Sequence, residues 1–283
     1  MSPIAADGEL ARAGGSWTRD KLTYLQRYAS AFMVAMGKKR TEGRWQRLVF
    51  IDLLCGPGID LIEGEEYRGS PLIALDTMPS FDTLFLGDLD EENVEALRNR
   101  IPAEERTRVV LEPGDCHIRA RQVVNSISQW GELGFAFVDP EGFEVGFELF
   151  ATLAQRPIDI LFLFPSGIGV KRNLERFARR TDETPMDRLW GNRDWRQTPI
   201  ARLLVGETLS HEEAEQLDVS WVEAFCQRVA TLGYAYHDAA PPLRNDQNVP
   251  MYHLLFFSKN QAGLDIWRGI GRIEPGGQRR FGW

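Results

Sequence analysis

The chain has 283 residues, 43% of them hydrophobic, and 33 Lys and Arg against 41 Asp and Glu give a formal charge of -8 at pH 7. That length and apolar content suffice to bury a sizeable core, whereas the acidic balance argues against a protein that coats nucleic acid through a global positive field. No apolar run reaches the ~18 residues of a membrane span and no charged-then-apolar leader opens the chain, so a soluble, cytoplasmic protein is expected.

Residues 1–16, rich in small side chains, read as a loose segment ahead of one domain over 17–283. Over 17–37, Leu22, Leu25, Tyr28, Ala29, Phe32, Met33 and Met36 fall on one helical face, with Gly37 as a stop. Short runs rich in Val, Ile, Leu and Phe follow at 47–54, 83–88, 108–115, 135–142 and 159–167, each closed by Asp, Gly or Pro. Buried strands of a parallel sheet have this look. Helical stretches lie between them at 70–78, 90–100 with Asp90 as N-cap, 117–130 and 145–154. Alternation of this kind predicts an α/β, doubly wound, mostly parallel sheet.

From 168 to 218 the pattern turns charged and helical, with Trp190 and Trp195, and reads as a helical insertion over the mouth of the sheet. WVEAFCQRVATLG then reads as a helix stopped at Gly233, and YAYHDA and MYHLLFFSK as a C-terminal antiparallel hairpin. Cys55, Cys116 and Cys226 show no CxxC spacing and read as reduced thiols. Two basic clusters, Lys38, Lys39, Arg40, Arg44 and Arg47 around Trp45, and Lys171, Arg172, Arg176, Arg179 and Arg180, read as solvated helix faces or as small docking surfaces for an anionic partner.

In an open parallel sheet the ligand sits beyond the carboxyl ends of the strands. Here those ends carry Asp52, then Asp88 with Asp90, then Asp115, then Asp139 with Glu141. The first belongs to Asp52-Leu-Leu-Cys-Gly56-Pro57-Gly58, which lacks both the GK[ST] of a phosphate loop and the third glycine of G-x-G-x-x-G. An acid beside such a turn suits a ligand's amino group, a second acid a ribose diol, and a third the exocyclic amine of adenine. Those three groups together describe S-adenosylmethionine, with Asp52, Gly56, Pro57, Gly58, Asp88, Asp115 and Cys116 as its expected contacts.

The motifs IDLLCGPG, GSPL at 69–72, LEPGD, FVDPEG, MYHLLFFSK and Ile266-Trp267, after a helix with Lys21 and Tyr24, resemble class I S-adenosylmethionine-dependent methyltransferases and, within them, the three-Cys-motif partner family, TcmP. The resemblance implies a Rossmann-like methyltransferase fold with the strand order of that class, and a neighbouring three-Cys-motif protein as partner. The family is named for that partner's cysteines, not for the three found here. Two departures stand out: Asp88 holds the place where a glutamate is expected, and Asp139-Pro140-Glu141-Gly142 is only similar to the DPPY loop of enzymes that methylate base amino groups. From the resemblance, Asp139, Pro140 and Glu141 are the expected catalytic residues.

Lys21 and Phe143 are further candidates for contact with the methyl acceptor, and a nucleic-acid base is one possible acceptor. The stretch GIDLIEGEEYRG at 58–69 is expected to be a mobile flap that orders over the methionine end of the cofactor. Metal at Cys55, Cys116 and His117, a nuclease built on Asp115, Asp139 and Glu141, and a Rossmann dehydrogenase are each disfavoured. Two readings remain: a methyltransferase, or a non-catalytic module of the same fold that recruits or regulates a partner.

Overall fold

Apolar strands flanked by helices on both sides have no solvated face, and the five runs of the sequence pair accordingly. The computed structural model of the chain describes residues 2–166, 168–204, 206 and 217–271. Its first half runs β1 (Arg12–Gly14), α1 (Trp17–Thr41), β2 (Arg47–Asp52), β3 (Ile59–Ile62), β4 (Glu65–Arg68), α2 (Ser70–Asp76), β5 (Thr83–Asp88), α3 (Glu91–Arg100), β6 (Val109–Pro113), α4 (Cys116–Ser126) and β7 (Glu132–Val138). The remainder runs α5 (Phe147–Leu153), β8 (Ile158–Pro165), α6 (Ile168–Ala178), α7 (Pro185–Trp190), α8 (Pro199–Leu204), α9 (Leu217–Ala230), β9 (Tyr236–Ala239), β10 (Leu243–Arg244), β11 (Pro250–Ser258) and α10 (Gln261–Gly271).

The main sheet has the order β10-β11-β8-β7-β2-β5-β6, with β9 also paired to β11. From β8 to β6 every pairing is parallel, while β11 runs antiparallel to β8 and to β9. The chain winds outward from β2 through β5 to β6, then returns to the other side of β2 for β7 and β8. The topological switch point therefore lies between β2 and β7, whose ends carry Asp52 and Asp139. This is the Rossmann-like, class I methyltransferase arrangement expected, including the C-terminal antiparallel pair.

Each strand feeds two cores by alternation. Val49 and Ile51 face one cluster with Phe150, Trp190, Trp221 and Phe225, while Leu48 and Phe50 face the other with Tyr28, Phe32 and Trp267. The Asp90 cap is observed, its carboxylate accepting from the Glu92 N–H. By contrast, α1 passes through Gly37 to Thr41, because its buried face continues through Met36 and Lys38, Lys39 and Arg40 favour the negative end of the helix.

The N-terminal segment, expected to be loose, is packed. Ile4 bridges Leu10, Ala5 and Ala11 are buried, and β1 pairs in parallel with β3. Arg100 fastens it, donating to both Asp7 carboxylate oxygens (2.7 and 2.8 Å), to the Leu10 carbonyl (2.6 Å) and to the Pro57 carbonyl (2.7 Å). The stretch at 58–69, expected to be a flap, forms the hairpin of β3 and β4 and completes a three-stranded sheet with β1. The described helices of the insertion buttress the face that holds Phe164, with Trp190 stacked on Trp221 at 4.7 Å and Trp195 donating to Asp187 at 2.7 Å.

One polar link crosses the second core. The Tyr28 hydroxyl donates to Asp159 at 3.0 Å, both side chains are buried, and burial raises the Asp159 carboxyl to about 6 against the pull of Ser258 and Tyr28. Tyr28→Phe leaves that carboxylate short of a donor and is expected to cost ~1–3 kcal/mol in urea unfolding at pH 7. The cost should shrink at pH 5, where Asp159 is protonated; equal losses at both values would show that the bond is not charge-assisted.

Candidate active site

Strand β2 ends in Asp52, which has no exposed surface. The Leu54 N–H donates to Oδ1 at 3.3 Å, and Oδ2 has no hydrogen-bond partner among the described residues. Burial raises this carboxyl to about 7; the Ser70 hydroxyl and the Leu54 N–H pull it down, and the fields of Asp139 and Asp88 push it up. A buried acceptor left open beside a glycine turn fits a ligand's ammonium group. Gly56 and Gly58 both have positive φ, 60° and 95°. Their surroundings differ: a Cβ at Gly58 would stand 2.9 Å from Leu97 and 3.3 Å from Leu72, whereas one at Gly56 would meet only Arg12, at 3.8 Å. Gly58 thus serves packing under the loop, and Gly56 keeps the open side clear.

Asp88 closes the same loop, Oδ2 accepting from the Gly56 N–H at 2.9 Å and Oδ1 from the Asp90 N–H (2.9 Å) and Asn93 (3.2 Å). Asp115, two strands from β2, caps α4 through Oδ1, which accepts from the His117 and Ile118 N–H groups. Beside these acids Leu89 and Ile118 are 72% and 52% exposed, apolar side chains standing in water at the strand ends. They escaped the sequence reading, although an aliphatic residue just past a strand-end acid was the available signal. Cys116 is buried, and burial with the fields of Asp115 and Glu144 pushes its thiol up to about 12, which makes it wall and not nucleophile. His117 Nε2 accepts from the Gly146 N–H at 2.9 Å and so ties this turn to the loop after β7.

That loop begins at Asp139, which is 4% exposed. Lys21 Nζ lies 2.6 Å from its Oδ2, Arg12 Nη1 lies 3.6 Å from the same oxygen, and Arg12 Nε lies 3.0 Å from Glu141 Oε1. Asp60 is also buried; burial raises its carboxyl, and Lys21 and Arg12 draw it back. A cavity of about 240 Å³ opens here between Trp17, Lys21, Asp60, Asp139, Pro140 and Tyr252. Glu144 accepts from the backbone N–H groups of Glu141 and Gly142, holding the loop closed.

Lys21, Asp139, Pro140 and Glu141 lie together around this cavity, and so do Arg12 and Asp60, which the sequence reading did not single out. Phe143 is not among them: it packs edge-on against Phe177 at 5.6 Å, on the core side. Nor does the described part of the insertion roof this cavity; the N-terminal segment does. The insertion instead walls a second cavity of about 950 Å³, where α7 faces Asp115, His117 and Glu144. Of the first basic cluster, Arg40 pairs with Asp82 and Arg47 with Glu132, at the opposite end of the strands. In the second, Arg179 pairs with Glu175 and Arg180 with Asp182, while the side chains of Lys171 and Arg172 lie outside the described residues.

No family model and no curated protein matches the chain. Among solved structures it is similar to protein LPL1258 of Legionella pneumophila, of the family DUF519, at 12% identity over 92% of this chain and 94% of that one, with a TM-score of 0.50. It is also similar to the N-terminal domain of EvdMO1, solved in the presence of SAH and D-fucose, at 12% identity over 90% and 88% with a TM-score of 0.43. The bifunctional kinase-methyltransferase WbdD aligns at 14% identity over 85% of this chain, which spans only 39% of that longer one, with a TM-score of 0.42. No helix among the described residues is long and apolar enough to cross a membrane.

The state of Asp52 yields a test. With its carboxyl raised to about 7 in the folded chain, the stability it contributes is full below about pH 4 and is lost as pH rises to about 7, up to ~4 kcal/mol. Asp52→Asn should therefore raise the melting temperature of the ligand-free protein at pH 8 and leave it little changed at pH 4. A lower melting temperature at pH 8 would show that the ionised carboxylate is satisfied in the free protein.

Proposed function

We propose that the chain is an S-adenosylmethionine-dependent methyltransferase acting on a nitrogen nucleophile admitted beneath the N-terminal segment. The observation that carries the reading is the open Oδ2 of Asp52, fully buried at the switch point and one strand from Asp139. When bound, the cofactor supplies a methyl group already activated on its sulfonium, so the protein's task is position. Asp52 receives the amino group, Asp88 has lone pairs left for the ribose, and Asp115 with Leu89 and Ile118 forms the slot for adenine. Gly56 lets the cofactor approach the backbone; Gly58 and Pro57 act from beneath by packing and by fixing Arg100.

Lys21 and Arg12 both address Oδ2 of Asp139, which leaves Oδ1 to accept a hydrogen bond from the acceptor's N–H and turn its lone pair toward the methyl group. Trp17 and Tyr252, with ring centroids 6.2 Å apart, offer flat apolar surface to a single small group such as a base or one side chain. A base amino group and a three-Cys-motif partner remain parts of this proposal that rest on the sequence resemblance alone. The second reading, a non-catalytic module, draws on the same ion pairs, since Lys21 and Arg12 engage the acids meant for catalysis.

Calorimetric titration with S-adenosylmethionine and S-adenosylhomocysteine, with NAD as comparator, tests the cofactor. Binding of the first two at roughly micromolar strength and none of NAD is expected; no binding of any would overturn the proposal. Asp139→Asn is then expected to cut methyl transfer by ~10²-fold or more while leaving S-adenosylhomocysteine affinity within ~3-fold. Parallel loss of both would remove Asp139 from its role, and binding with no transfer to nucleic acid, protein or metabolite pools would put the module reading first.

A further inference from the structure

We propose that Arg12 receives the carboxylate of the cofactor's amino-acid end and so couples an occupied cofactor site to the loop that carries Asp139 and Glu141; this rests on the cofactor assignment above. The amino-acid end brings both signs of charge into the crevice. Asp52 answers the ammonium, but a carboxylate entering among Asp52, Asp60, Asp139 and Glu141 requires a cation of its own.

The described residues around the cavity offer two cations, Lys21 and Arg12. Lys21 is committed: it is 5% exposed, its Nζ is 2.6 Å from a carboxylate that is itself 4% exposed, and moving it would leave that buried charge with only the longer 3.6 Å contact to Arg12. Arg12 is held more loosely. Its contact with Asp139 is 3.6 Å, and its 3.0 Å partner Glu141 has 76% of its side chain in solvent. A guanidinium has five N–H donors in a fixed fork, enough to keep Glu141 and take a second carboxylate.

Placement agrees. Arg12 Cδ and Nη1 stand 3.8 and 3.9 Å from where a Cβ at Gly56 would be, which sets the guanidinium on the open side of the glycine loop. Burial works against a charge on Arg12, and the fields of Asp139, Glu141, Asp60 and Asp52 outweigh it, so the cation is present for a ligand to meet. The backbone is also fixed: Arg12 is in register with Asp60 in the β1–β3 pair, and Arg100 joins the Leu10 carbonyl to that of Pro57 inside the glycine loop. One guanidinium thus locks the segment to the loop while another faces the site.

The test compares S-adenosylmethionine with its decarboxylated form, which keeps the sulfonium and the amine and lacks only the carboxylate, by calorimetry on wild type, Arg12→Gln and Arg12→Lys. Arg12→Gln should weaken S-adenosylmethionine by about 10- to 100-fold, the range for losing hydrogen bonds to a charged group, and change the decarboxylated ligand by less than ~3-fold, with Arg12→Lys between. Equal losses for both ligands would make Arg12 a structural residue, and equal gains would make it a plug; either overturns the inference. Equal affinity of wild type for both ligands would also overturn it while leaving the cofactor assignment intact, whereas no binding of either by wild type would sink both.

Discussion

Charge balance at the switch point is the constraint on which the architecture turns. Four carboxylates, Asp52, Asp60, Asp139 and Glu141, converge on Arg12, and three of them are almost wholly buried. Neighbouring carboxylates removed from water repel one another and lose hydration, so the crevice requires cations of its own. Both come from ahead of the sheet, Lys21 from α1 and Arg12 from β1. The parallel β1–β3 pair and the four hydrogen bonds of Arg100 follow as the means of holding those cations in place. An N-terminal strap is thus part of the site and not an appendage to it.

This explains what the sequence revealed and what it hid. Strands and their terminal acids were legible because each signal is local: an apolar run, then Asp, Gly or Pro. So was the Asp90 cap. Arg12 and Asp60 were hidden because their partners, Asp139 and Glu141, lie far along the chain, and no periodicity reports a pairing that only the sheet order creates. Residues 1–16 looked loose for the same reason, their small side chains showing no period while their anchor was an arginine at position 100. Phe143 illustrates the converse error, since an aromatic residue just past the Asp139 loop reads as a stacking surface until Phe177 of a later helix is seen to cover it.

The glycine pattern shows why motif matching alone apportions roles poorly. Gly56 and Gly58 are two positions apart and share a left-handed backbone, yet one borders the crevice and the other is pressed on Leu97 and Leu72. Asp88, read as a ribose contact, is also the brace of that loop through the Gly56 N–H. A carboxylate with about four lone-pair sites can do both, but the structural bond comes first, because it exists without ligand.

The ion pair at Asp139 also bears on what kind of chemistry the crevice suits. Lys21 and Arg12 both meet Oδ2 of Asp139, and two cations on one oxygen fix where that carboxylate stands. Orientation asks for no more. A carboxylate so placed can fix the direction of an N–H bond, and the rigid loop behind it, closed by Glu144 and tied through Gly146 to His117, keeps that direction constant. Methyl transfer from a sulfonium asks mainly for such alignment, and the proton can leave after the bond has formed. The pairing of Asp139 with two cations is therefore compatible with the orienting role that the proposed reaction assigns to it.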